Sequence, residues 1–254
     1  MDIDLNADLA EGYGPWTIGD DAALLDIVSS ANLACGFHAG DPLIMARTVA
    51  LAAARGVDIG AHVGFPDRQG FGRRVMQIDT EELAAMIVYQ LGALAGIARA
   101  AGQRVTHMSF HGALGNLAAG DAGLATLLVR AVAAFDPALT IITSTSPAIE
   151  GAAAAAGLRA VGTFLADRAY DDDGMLVPRK LPDSVIHDPA RVLERVRRML
   201  DDGIVITYSG KPLPMRPRSI LLHGDTGGAV NLARRIRAEI EQGGGRIVPV
   251  SRQT

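Results

Sequence analysis

Short apolar runs alternate along the whole chain with longer stretches in which apolar positions recur every three or four residues. A run of four to eight fits a buried strand, and the wider spacing fits a helix with one packed face. Strands are predicted at Ile3 to Asp8, Asn32 to His38, Val57 to Val63, Arg104 to His111, Leu139 to Thr143, Arg159 to Phe164, Ser219 to His223 and Arg246 to Val250. Helices are predicted near 20–30, 41–55, 79–101, 119–134, 147–156, 189–202 and 227–242. Asp41 ahead of Pro42 reads as an N-cap with proline at the first helical position. From Arg168 to Asp188, two prolines and three consecutive aspartates mark a long irregular loop, and such loops usually carry function. No Pro-, Ser- or Gly-rich linker interrupts the alternation, so residues 1–254 read as one α/β domain with seven or eight mainly parallel strands. A TIM-like (β/α) barrel and an open doubly wound sheet both satisfy the pattern. The dinucleotide version lacks Gly-x-Gly-x-x-Gly after its first strand, and Gly210-Lys211 is followed by Pro212, so neither nucleotide motif is present.

Functional residues of parallel α/β folds gather at the carboxyl ends of strands, and here those ends are polar. Four of the six histidines, His38, His62, His111 and His223, stand there, together with Asn6, Asp8 and Asp41. Residues two apart share a strand face, which pairs Asn6 with Asp8, Gly36 with His38, Gly60 with His62 and Ser109 with His111. Small residues below polar ones leave room for a pocket. His107, early in a strand, and His187, in a loop, read as structural or surface residues. Two uses fit the ring: a divalent metal on Asp8, His38 and His62 that activates water, or metal-free acid and base catalysis on an amide. No Gly-x-Ser-x-Gly elbow appears, and Cys35 reads as packed within a strand. Arg73 and Arg74 after the third strand, and Asp167-Arg168 after the sixth, offer forks for a carboxylate or phosphate or else form ordinary ion pairs. Gly224 to Gly228, containing Asp225, precedes a helix and suits either an anion or a helix cap.

Composition narrows the classes. With 49% hydrophobic and 20% charged residues the chain is expected to be globular, and a net charge of −4 gives no basic footprint for nucleic acid. The apolar stretch Leu83 to Ala101 is broken by Tyr89, Gln90 and Arg99 and reads as a packed helix rather than a membrane span. A single cysteine and a start without a basic, then apolar, leader make the cytoplasm the expected compartment.

Several segments resemble a known family: Asp4-Leu5-Asn6-Ala7-Asp8, the block from Ser30 to Asp41, Gly70-Phe71-Gly72-Arg73-Arg74, His111-Gly112-Ala113-Leu114, Ala166-Asp167-Arg168-Ala169-Tyr170 and His223-Gly224-Asp225. The chain is similar nearly end to end to the A subunits of 5-oxoprolinase, the LamB/YcsF lactam-utilisation family. The resemblance implies a deacetylase-like (β/α) barrel and ATP-dependent opening of 5-oxoproline to glutamate. Nucleotide would be handled with separate subunits B and C. It places Asp8, His38, His62 and His111 in catalysis, and Asn6, Asp41, Arg73, Arg74, Asp167, Arg168, His223 and Asp225 around the substrate. Some positions depart from the family pattern: Ser109 stands for a lysine, Thr163 for a glutamate, Val63 for a proline and Ala10 for a glycine. Two hydroxyls in place of a charged pair imply altered substrate choice or weaker activity. The alternatives are a metal-dependent deacetylase-like hydrolase without ATP, and a non-catalytic paralogue that binds lactams.

Overall fold

The computed structural model describes residues 1–224 and 227–253. Seven parallel strands, β1 (Asp2–Leu9), β2 (Ser30–Ala34), β3 (Asp58–Val63), β4 (Val105–Phe110), β5 (Thr140–Ser144), β6 (Arg159–Leu165) and β9 (Ser219–His223), close into a barrel through β1–β9 pairing. Helices α1 (Asp21–Leu25), α2 (Pro42–Arg55), α3 (Thr80–Ala100), α4 (Gly112–Gly120), α5 (Ala122–Phe135), α6 (Pro147–Ala155), α7 (Pro189–Asp202) and α8 (Ala229–Gln242) accompany them. A two-stranded antiparallel ribbon, β7 (Ile204–Ile206) with β8 (Pro212–Pro214), follows α7, and β10 (Arg246–Ile247) pairs with β1 outside the closure. The closed sheet decides between barrel and doubly wound sheet, in favour of the TIM-like barrel.

Several predicted boundaries move, each for a local reason. The helix predicted at 119–134 is α5, which starts at Ala122 because the Asp121 carboxylate accepts the amides of Gly123 and Leu124 as its cap, and the short α4 before it was not predicted. The second strand stops at Ala34, four residues short of His38, because Gly36 turns the chain at φ 93°. The first helix keeps only five residues, and the strand expected to reach Val250 pairs over two. The β7–β8 ribbon was not predicted, since three-residue strands leave almost no periodic signal.

Alternation in β1 puts Ile3, Leu5, Ala7 and Leu9 outward under the helices and Asp4, Asn6 and Asp8 into the barrel. The main apolar core therefore lies between sheet and helices, while the inner face around β1 is a hydrogen-bonded polar column, and Ile142 of β5, Val161 of β6 and Val250 form a second, small apolar cluster. Asp4 accepts from the hydroxyls of Ser29 (2.7 Å), Ser30 (2.6 Å) and Ser219 (2.5 Å). Burial raises its pKa, and against the opposing pull of the hydroxyls it comes to about 6. One layer up, Asn32 donates to Asn6 (2.8 Å) and to Asp8 (3.0 Å), and His107 Nε2 donates to Asn32 (3.1 Å). Burial lowers the His107 pKa to about 4, which keeps the ring neutral. Gly60 is needed there because a Cβ would collide with the His107 ring, so this glycine makes room for a histidine rather than for a pocket. A buried polar interior is stable only when its groups are paired, and here the pairing fixes the floor of the site.

Candidate active site

At the carboxyl end of the barrel a cavity of about 590 Å³ opens above this floor. Register sets its lining, since Asp8 is level with Asn32 on one side and His223 on the other, and His62 is level with Ser109.

One wall carries His62 and His111, with His38 stacked on His111 outside the cavity lining. His38 and His111 stack with ring centroids 3.8 Å apart, and His62 meets His111 edge-on at 4.7 Å. Gly72 permits this approach, because a Cβ there would lie 2.7 Å from the His111 ring and 2.8 Å from His38 Cβ. Hydrogen bonds assign the protons. His111 Nε2 faces the carbonyl of Phe71 at 2.8 Å and must donate to it, which leaves Nδ1 as an acceptor. That Nδ1 lies 2.8 Å from His62 Nε2, whose other neighbour is Asp8 Oδ2 at 3.3 Å. His62 Nδ1 in turn meets the Ser109 hydroxyl at 2.7 Å, and a hydroxyl can donate or accept as the ring requires. Burial, with the neighbouring His62, lowers the pKa of both His38 and His111 well below 6.5, so these rings are neutral. Burial works against the Asp8 carboxylate, yet His62 and His223 outweigh it and hold its pKa low.

The carboxylate that completes this cluster is Glu11, which stands outside the cavity lining and which sequence reasoning did not assign to the site. Ala10, bent into the left-handed region at φ 59°, turns the chain so that Glu11 lies 3.4 Å from His38 Nε2 and 3.6 Å from His111 Nδ1. Glu11, His38, His62 and His111 are all buried and place one donor atom each within 4.8 Å of one another, a set that can hold a metal ion. The triplet expected from sequence was Asp8, His38 and His62; Glu11 and His111 join the group and Asp8 stands beside it. His38 Nδ1 is buried without a hydrogen-bond partner, an unsatisfied polar atom on the ring whose Nε2 faces Glu11. Three nitrogens and one carboxylate oxygen suit zinc or a similar divalent ion, so the residues fit the group.

The opposite wall carries His223. Its Nδ1 meets both Asp167 oxygens at 2.9 and 2.8 Å. Burial disfavours the charged ring, but the Asp167 carboxylate overcomes this and raises the pKa of His223. Burial likewise opposes the Asp167 charge, and His223 lowers its pKa in return. Arg179 lies 3.4 Å from His223 Nε2, and Lys180, Pro178 and Leu176 of the same long loop line the cavity.

The remaining predicted residues separate by placement. Asn6, Arg73 and Arg168 line the cavity. Arg168 is 3% exposed and spends its donors on the carbonyls of Ser184 (3.1 Å) and Val177 (2.7 Å), pinning the long loop. Arg74 Nε donates to both Asp67 oxygens at 3.0 Å and stands outside the cavity lining. Asp41 caps α2 through the amides of Leu43 and Ile44, both at 2.9 Å, and its second oxygen accepts from Gly14 at 2.8 Å. Asp225 lies outside the described residues. Ser109 and Thr163 both line the cavity, and Thr163 accepts weakly from Asn6 at 3.5 Å. Cys35 is buried, with its thiol pushed up to about 12 by burial, which makes it a poor nucleophile.

The sequence profile of the LamB/YcsF family matches residues 3–254. The chain belongs to the LamB/YcsF family. It is 70% identical to a Ralstonia nicotianae protein named as a 5-oxoprolinase A subunit, over 100% of this chain and 97% of that one. It is 64% identical to a Pseudomonas syringae pv. tomato protein of the same name, over 99% and 98% of the two chains. Among solved structures, a lactam utilization protein from Thermus thermophilus superposes with a TM-score of 0.90 at 41% identity, covering 98% of this chain and 99% of that one. This LamB/YcsF member thus shares its whole barrel, and not a fragment of it, with relatives named as 5-oxoprolinase subunits.

Proposed function

We propose that this chain is the ring-opening component of a cytoplasmic, ATP-dependent 5-oxoprolinase that hydrolyses 5-oxoproline, or a related small lactam, to glutamate together with subunits B and C. The observation that supports this most is the pairing of neutral histidines beside the Asp8 carboxylate on one wall with a histidine on the other whose pKa its contact with Asp167 raises. Amide hydrolysis needs both. The Asp8 and His62 pair takes a proton from water as its oxygen bonds to the lactam carbonyl carbon. His223 Nε2 gives a proton to the ring nitrogen as the carbon–nitrogen bond breaks, so one amine and one carboxylate result. Arg73, Arg179 and Lys180, all on the cavity lining, attract the substrate carboxylate. When bound by Glu11, His38, His62 and His111, a divalent ion supplies Lewis-acid polarisation of the carbonyl. ATP is handled with the partner subunits, in keeping with the lack of a phosphate loop in this sequence.

The same four-donor group favours a second reading, metal-dependent hydrolysis without ATP. The deciding assay measures 5-oxoproline hydrolysis with and without ATP and with and without subunits B and C. Turnover is expected only when all are present. Metal-dependent turnover by this chain alone would replace the first reading by the second, and lactam binding without turnover in any mixture would mean a non-catalytic paralogue.

A further inference from the structure

Helix α3 is anchored by Leu83, Ile87, Leu91 and Leu94, all buried, while its outer face is unlike those of α7 and α8. Exposed faces of α7 and α8 carry ion pairs, such as Arg198 with Glu194 and Arg237 with Glu241. From Leu83 to Ala98 the sequence of α3 holds no charged residue, although Val88 is 39% and Tyr89 64% exposed. Gly92 and Gly96 lie on this outer face, and each glycine within a helix costs about 1 kcal/mol relative to alanine. The chain's own packing does not call for them. A Cβ on Gly96 would meet nothing within 4 Å, and one on Gly92 would meet only Phe135 at 3.8 Å. Glycines with no internal reason point to a body that approaches the helix closely from outside.

The order of the exposed residues says which body. Glu82, Ala85 and Tyr89 stand as far from the point between Gln90 and Leu91 as Arg99, Gly96 and Gly92 do on the other side. Two copies of α3 laid antiparallel about a two-fold axis at that point place Glu82 against Arg99 of the second copy, Ala85 against Gly96 and Tyr89 against Gly92. Each contact occurs twice, as a symmetric interface requires. The charges complement at both ends and the large side chain meets the missing one. We propose that two copies of this chain associate through the outer face of α3. Tyr89 also stacks on Phe37 at 5.4 Å, and Phe37 precedes His38, so the interface adjoins the loop that carries a site histidine.

Sedimentation velocity on the purified full-length chain tests the idea, with an expected mass of twice 26.5 kDa at micromolar concentration. A Cβ at position 96 meets no atom of its own chain within 4 Å, so Gly96→Leu is expected to keep its melting temperature while the dimer dissociates. Glu82→Arg and Arg99→Glu should each raise the dimer dissociation constant at least about tenfold, and the double reversal should restore it. A wild-type chain that stays monomeric overturns the proposal, even if the face then binds another protein or a lipid vesicle. A dimer indifferent to Gly96→Leu and to the charge reversals overturns it as well.

Discussion

The two histidine walls of the cavity contain the same side chain under opposite electrostatics. His38 and His111 lie 3.4 and 3.6 Å from the Glu11 carboxylate, yet burial and the neighbouring histidine rings lower their pKa values. His223 is somewhat more exposed, and its Nδ1 lies between the two oxygens of Asp167, so its pKa rises. Burial alone would neutralise all of them; a single carboxylate contact at about 2.8 Å reverses the outcome. The difference teaches that a histidine's role in this cavity is set by what its far nitrogen touches. On one wall the far nitrogens face a carbonyl, a hydroxyl or nothing, which keeps lone pairs free for a cation or a proton. On the other the far nitrogen is tied to an anion, which keeps a proton ready to give.

The sharpest break of this contrast is His223→Gln, which keeps an amide to hydrogen-bond but cannot supply a proton. Turnover is expected to fall about 10²–10⁴-fold while lactam affinity, measured by calorimetry, changes little. A parallel loss of binding would mean that His223 holds substrate instead. Next in size is the effect of His111→Ala or Glu11→Gln on metal content. Elemental analysis of the wild-type chain is expected to find close to one divalent ion, and either variant should bind at least about tenfold more weakly. Equal occupancy in both variants would remove them from the ligand set.

The pH dependence of stability probes the charged wall without substrate. Because the folded pKa of His223 is raised, its contribution is fully present below the unfolded value of about 6.5 and is lost as pH rises through the folded value. Asp167, whose folded pKa is lowered, contributes above about 3.9 and loses that contribution as pH falls through its folded value. The gap in melting temperature between wild type and His223→Gln should therefore be widest between those two pH values and close on the alkaline side. A gap that stays constant to pH 9 would show the pair to be uncharged. The smallest effect is reserved for Asp41, which lies off both walls. Asp41→Ala should cost about 0.5–2 kcal/mol of stability through the lost cap, with kcat unchanged.

Much of this was legible in the chain. The β1 alternation Ile3 to Leu9 specified one face for the core and one for the site, since strand periodicity is local. Asp41-Pro42 announced the start of α2 for the same reason. Gly36 and Gly60 were less transparent. The first ends a strand that its apolar neighbours would continue, and the second accommodates a ring from another strand, neither of which periodicity can register. Arg73 and Arg74 are adjacent and chemically identical, yet only Arg73 reaches the cavity lining, because Asp67 holds its neighbour.

The sequence by itself determined that this is a β/α fold of the LamB/YcsF family whose strand ends carry histidines and carboxylates, because those signals depend on residue type and short spacing. Tertiary structure alone decided that seven strands close and that Glu11 joins the three histidines His38, His62 and His111. It also decided that Asp167 raises the pKa of the fourth across the cavity, since each of these contacts joins residues from different strands and loops. Hydrogen-bond partners distant in sequence, and not the histidines themselves, assign the chemistry of each wall.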